Sequence, residues 1–187
     1  MPYDLSEPSL WFVPGSLSVY RVLDAEATYA PDAPFPSSEG RYSNGIRKVL
    51  YVAQTPEVAV SEYLRHHPEF LGLQPYLRLR ISEITLDVPA VEALDVRTEE
   101  QAAKIPFPYH RLVSSERDAV TRNSDCQELA DSCDGSSGIT GPSAALAVLG
   151  PWTFALFGER GDRWISNGCA DVPRPTIDPA SVRLLDS

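Results

Sequence analysis

Apolar and polar positions alternate with a period of two along several short stretches, and shift to a period of three to four in only a few. Residues 17–23 read as a first strand, with Val19, Arg21 and Leu23 on one side. Residues 46–53 read as a second, with Val49, Tyr51 and Ala53 facing one way and Leu50 and Val52 the other. Residues 74–88 alternate as one long strand or two shorter ones, and residues 91–95, 152–157, 163–165 and 181–185 predict further strands. Residues 138–144 form a short extended piece that ends in a small turn bearing the Ser143 hydroxyl. Three stretches predict helix. The first opens at Gln54-Thr55-Pro56-Glu57, where Thr55 suits the N-cap, Pro56 the first helical position and Glu57 the positive end of the dipole. Val60, Tyr63 and Leu64 then mark its apolar face. Residues 98–103 are a short helix broken by Pro106 and Pro108, and 114–134 are helical in part, best over 127–133. Residues 1–17 carry three prolines and read as an irregular arm, while 25–40 are too long for a routine connection and read as a flexible arm or a binding loop. Many strands with few helices predict an α+β fold rather than a doubly wound sheet.

Composition narrows the function more than the fold. The 187 residues make one domain, with an insert expected within 97–137. A net charge of −10 argues against nucleic acid or an anionic membrane as a direct partner, because both select positive fields. Any phosphorylated ligand must therefore be gripped by a few local arginines. The odd set of Cys126, Cys133 and Cys169 matches no zinc spacing and suggests a reducing, cytoplasmic compartment. No apolar run reaches membrane-spanning length. His66 and His67 are adjacent on a helix, point about 100° apart and do not chelate one ion, so no metal site is expected. They suit the negative end of the helix dipole instead.

The chain's chemistry concentrates between Gly40 and Glu62. Gly40-Arg41-Tyr42-Ser43-Asn44-Gly45 is a polar turn, Tyr51 lies near the end of the strand that follows, and Glu62 stands about two turns into the next helix. An arginine, a tyrosine and a carboxylate thus reach one region. Each also has an ordinary structural reading. Arg21 suits either an edge strand or a cleft, and Arg41 suits closing its turn against Glu39. Tyr51 also reads as core, Glu62 as a solvated helix residue and Ser143 as a turn cap, while Arg47 and Lys48 read as solvated.

In order along the chain, VYRVL around Arg21, EGRYSN around Arg41, VLYVAQTPEVAVSE from Val49 to Glu62 and GITGPSA around Ser143 resemble the RES domain, the toxin half of a bacterial toxin–antitoxin type. The second and third pieces are the most specific. The resemblance implies a fold like that of ADP-ribosyltransferases, a split β-sheet core with surrounding helices and a cleft for a nicotinamide dinucleotide. It implies consumption of NAD+ as substrate, with no resident cofactor, by hydrolysis, phosphorolysis or transfer of ADP-ribose to protein. It also implies a cognate antitoxin with a DNA-binding helical domain. A catalytically weak module that binds a nucleotide or a partner is the alternative from another class, and self-association is compatible with either. On this resemblance Glu62 serves the ribose, Arg21 and Arg41 the pyrophosphate, Tyr51 the nicotinamide ring, and Ser143 the carboxamide or ribose. The chemistry agrees: nicotinamide leaves as a neutral group, so the site must mainly steady an oxocarbenium-like ribose and hold the dinucleotide still. The absence of a GxGxxG turn is consistent with a cleft of this kind.

Overall fold

In a computed structural model the described residues are 3, 5, 10–12, 16–36, 40–43, 45–70, 79–87, 92–105, 107–113, 119–133, 136–146, 150–158 and 164–184. They build a sheet of nine strands: β1 (Leu10–Phe12), β2 (Ser16–Asp24), β3 (Phe35–Pro36), β4 (Lys48–Ala53), β5 (Leu79–Asp87), β6 (Glu92–Asp95), β7 (Gly138–Pro142), β8 (Trp152–Phe157) and β9 (Ile165–Asp171). The helices are α1 (Pro56–His66), α2 (Glu99–Ala103), α3 (His110–Val113) and α4 (Ala119–Ser132). The architecture is α+β.

The strand order is β1-β6-β7-β8-β4-β2-β5-β9, with β3 attached to β4. β6 and β7 run parallel, and the other neighbours are antiparallel. The joint between β2 and β4 differs from the rest. All of β2, from Ser16 to Asp24, pairs with β5, and β4 pairs with β8 from Val49 to Ala53. β2 and β4 meet in register only at Tyr20 and Ala53. The sheet is continuous by one pair of residues and splayed elsewhere along that seam, the split core that the family resemblance implies.

Both faces are covered. Alternation along β4 sends Leu50 and Val52 to one face, where they pack with Val19, Ile84, Leu86, Phe154, Leu156, Trp152 and Trp164. Val49 and Tyr51 face the other way, against Leu112, Leu129, Ala130 and Cys133 from α3, α4 and the end of α4. On that same face Val58, Ala59, Val60 and Leu64 of α1 cover Tyr20, Val22, Ala53 and Ile81 of the seam strands. The helices therefore stand on one face, α1 beside the α2–α4 group, with the splayed seam below the gap between them.

Several elements differ from the sequence reading. β1 lies in the arm expected to be irregular, and pairs with β6. Within 97–137 the two expected helices are present as α2 and α4, with α3 added between them, and together they supply Ala102, Leu112, Cys126, Leu129 and Ala130 to the core. Tertiary burial adds to what their serine- and charge-rich sequences supply in propensity. The 163–165 strand instead begins at Ile165 and runs to Asp171. The expected last strand, 181–185, is reduced to an isolated bridge between Val182 and Leu146 after a 3-10 turn, Pro179–Ser181, capped by Asp178. Arg47 is not solvated: it donates to Ala130 O at 2.6 Å and its guanidinium lies 4.5 Å from the Phe157 ring centre. Residues 74–78 and 88 of the strand expected over 74–88, residue 91, residues 114–118 and 134 of the part-helical stretch, Arg163, Leu185, Glu39, Asn44 and Pro106 lie outside the described residues.

Candidate functional site

A cavity of about 340 Å³ opens at the splayed seam, within the range of small-molecule sites. Its floor is Tyr20 and Val22 of β2, Tyr51 and Ala53 of β4, and Thr153 of β8. One wall is α1, which contributes Ala59, Glu62, Tyr63 and His66, the i, i+3, i+4, i+7 face of a single helix. The opposite wall is the turn Gly40-Arg41-Tyr42. Thr55 starts α1 by accepting from Val58 N–H at 3.3 Å, with Pro56 at the first position. That cap fixes where Glu62 emerges.

Glu62 is held from below. Its Oε1 accepts from the Ser143 hydroxyl at 2.7 Å and from Ala145 N–H at 3.1 Å. Ser143 is 4% exposed and its own N–H donates to Pro151 O at 2.9 Å, so the turn is anchored to the start of β8. Two donors on one oxygen orient the carboxylate with its other oxygen, Oε2, taking no hydrogen bond among the described residues. Ser143 thus meets the cavity through Glu62, not directly.

Arg41 stands across from Glu62. It donates to Leu112 O at 2.6 Å, which ties the turn to α3. Burial works against its charge, but Tyr42, Cys126 and Glu62 more than compensate and hold its pKa above the ordinary arginine value. Tyr51 lies beneath the turn. Its hydroxyl accepts from Tyr42 N–H at 2.9 Å, and burial raises its pKa, so the phenol stays protonated. Gly40 is required by this contact: a Cβ at residue 40 would come within 2.6 Å of the Tyr51 hydroxyl.

Arg21 is placed apart from this group. It lines the cavity with Tyr20 and Val22, but its head group is engaged with the following loop. Its Nη1 donates to Pro31 O at 2.8 Å and to Ala33 O at 2.7 Å, with the rings of Tyr29 and Phe35 within 5.8 and 5.4 Å of the guanidinium carbon. Arg21 reaches the cavity wall but anchors the 25–36 segment, which β3 also ties to β4. The structure therefore brings together Arg41, Tyr51, Glu62 and Ser143 and sets the Arg21 head group to one side.

His66, which the sequence reading assigns only to the helix end, also lines the cavity. It follows Glu62 by four positions, spacing that alone puts the two side chains on one helix face. Desolvation lowers its pKa; Glu62 opposes the shift, and Arg41, Arg65 and His67 reinforce it. His67 instead stacks on Tyr63, centroids 4.4 Å apart, and tilts against Phe70. Among the described residues no group of three His, Cys, Asp or Glu side chains is arranged to hold a metal ion. None of the described helices is long and apolar enough to cross a membrane.

Comparison with known proteins shows the family and the fold. The family model of the RES domain matches residues 18–175, and the chain belongs to that family. No curated protein is matched. Among solved structures, a chain of the M. tuberculosis MbcT–MbcA toxin–antitoxin complex shares the fold, with a TM-score of 0.59 and 15% identity over 88% of this chain and 86% of that one.

Proposed function

We propose that the protein consumes NAD+ by breaking the bond between nicotinamide and ribose, as the toxin of a toxin–antitoxin pair. The observation that carries the reading is Glu62, a carboxylate fixed by Ser143 and Ala145 at the edge of a cavity with Arg41 opposite. The reaction proceeds from a cationic pyridinium. The C1′–N bond breaks with its electron pair passing to the ring nitrogen, and positive charge develops on the ribose. Glu62 meets that charge, or the hydroxyls that share it, with a carboxylate already oriented and therefore with little reorganisation. Arg41 offers a planar, permanently charged fork to the dinucleotide's phosphates. The Tyr51 ring gives a face against which the departing nicotinamide stacks. Arg21 serves the site indirectly, by holding the 25–36 segment beside it.

The toxin part of the reading is supported by membership of the RES family and by the neighbour solved as a toxin–antitoxin complex. On that reading the partner is a cognate antitoxin, with a DNA-binding helical domain, that closes the mouth of the cavity. The test is release of free nicotinamide from NAD+ by the purified protein, with and without phosphate, beside Glu62→Gln. Release that the variant loses supports the carboxylate's role, and a phosphate requirement names the acceptor. ADP-ribose recovered on protein instead assigns a transferase. Equal release by parent and variant removes Glu62 from the mechanism.

A further inference from the structure

Arg65 is 0% exposed, one turn beyond Glu62 on α1. Its Nη1 donates to Ala144 O at 2.8 Å and to Arg183 O at 3.0 Å. These acceptors join two parts of the chain that are far apart in sequence. Ala144 lies in the turn whose flanking residues, Ser143 and Ala145, grip Glu62. Arg183 lies eight residues past the end of the family match at 175. It also donates its N–H to Ala145 O at 2.7 Å, next to the bridge between Leu146 and Val182. Removing a guanidinium from water is costly, and a leucine or methionine would fill the same volume without that cost. A buried arginine here is accounted for by what its donors hold.

From this we infer that Arg65 and the C-terminal segment 182–184 form a strap that positions the Glu62 carboxylate, by fixing the 143–145 turn that supplies its two donors. The inference rests on the proposed function for its catalytic readout. Arg65 is a positioning residue: α1 presents Glu62 and, one turn later, the clamp that aligns Glu62's partners. The two sides of the hydrogen bond are thereby set by one helix. The C-terminal segment closes the arrangement from the other side, so part of the site lies beyond the stretch the family model covers.

The experiment compares the parent with Arg65→Lys, Ser143→Ala and the double variant, in nicotinamide release and in amide hydrogen exchange. Lysine keeps the charge and loses the guanidinium's reach to two carbonyls. Arg65→Lys is expected to lower kcat on the order of ten- to a hundredfold, the scale of a misplaced catalytic group, with KM within about twofold by the same reasoning. In the Ser143→Ala background the same change should cost less than in the parent, since one of the two donors it aligns is already gone and only Ala145 N–H remains. The Ala145 and Arg183 amides should exchange faster while those of β5 and β8 hold. An unchanged kcat with unchanged exchange at Ala145 overturns the strap, and so does a kcat loss that multiplies with that of Ser143→Ala. If Arg65→Lys does not fold, Arg183→Pro is read instead. It removes the N–H bonded to Ala145, and Val182 already has the extended ψ of 120° that precedes proline comfortably. A parent that releases no nicotinamide under any condition sinks the functional reading alone, because exchange at Ala145 still decides the strap.

Discussion

The Ser143 hydroxyl donates to Glu62 Oε1 across 2.7 Å, joining a turn after β7 to the middle of α1, 81 residues earlier in the chain. Glu62 keeps a second donor, Ala145 N–H, when the hydroxyl is removed. Ser143→Ala should therefore leave the fold intact, at a cost of about 1 kcal/mol for one hydrogen bond. The carboxylate would be free to swing about its remaining donor, and kcat should fall roughly ten- to a hundredfold. Nicotinamide release beside a thermal melt checks both numbers. A melt that collapses while kcat per folded molecule is unchanged would make Ser143 purely structural.

Gly40 and Tyr51 make a second paired prediction. Gly40→Ala drives a methyl to within 2.6 Å of the phenolic oxygen, which is itself tied to Tyr42 N–H. Either the ring or the turn must move, and overpacking of this kind costs roughly 1–3 kcal/mol. Because the turn carries Arg41, activity should fall with stability. Tyr51→Phe deletes the nearest atom, so the double variant should be less destabilised than the two single losses added together. Denaturant midpoints of the three variants measure this coupling, and strict additivity would mean the turn relaxes without meeting the ring.

These pairs explain what was legible in the sequence. The strand β4 and the start of α1 were readable because alternation, the Thr55-Pro56-Glu57 cap and the apolar set of α1 all agree locally. So was the delivery of Arg41, Tyr51 and Glu62 to one region, since a turn, strand and helix in immediate succession leave little freedom. The bond from Ser143 to Glu62 was not readable, because nothing local to either residue encodes a partner 81 positions away. Arg21 shows the opposite case. Alternation gave its side of the strand, but the carbonyls of Pro31 and Ala33 that hold its head group depend on how the following loop folds back. Helices α2 and α4 were legible, but α3 and the packing of this polar region with Val49 and Phe157 in the core were not. His66 alone was missed with the signal in view, at four residues from Glu62.

The cysteines should differ sharply in reactivity. Cys126 and Cys133 are buried and Cys169 is exposed on the edge strand β9. Burial pushes the Cys133 thiol up to about 12, with Arg47 opposing the shift, so almost no thiolate is present there at neutral pH. A thiol reagent should label one site rapidly in the native protein and all three after denaturation. Mass mapping should find the fast site at Cys169. Rapid native labelling at Cys133 would mean that the α4 end opens far more readily than its packing indicates.

His66 supplies the pH dependence. Desolvation lowers its pKa below the ordinary value of about 6.5, Glu62 pulls it back up, and Arg41, Arg65 and His67 push it further down. The fold therefore favours the neutral ring. Where the folded pKa is the lower one, the unfolded chain binds the proton first as pH falls, so protons favour unfolding. Stability from this group is fully present above about 6.5 and is lost as pH drops through the folded value. The parent should lose more stability than His66→Asn between neutral and mildly acidic pH, with His67 and Glu69 common to both and cancelling. Glu62→Gln removes the one neighbour that raises the pKa, so the ring should then titrate lower still. Ring proton shifts followed by NMR read the pKa, and denaturation midpoints against pH read the linkage. An upward movement of the His66 pKa in Glu62→Gln would show that the two side chains do not face each other across the helix turn.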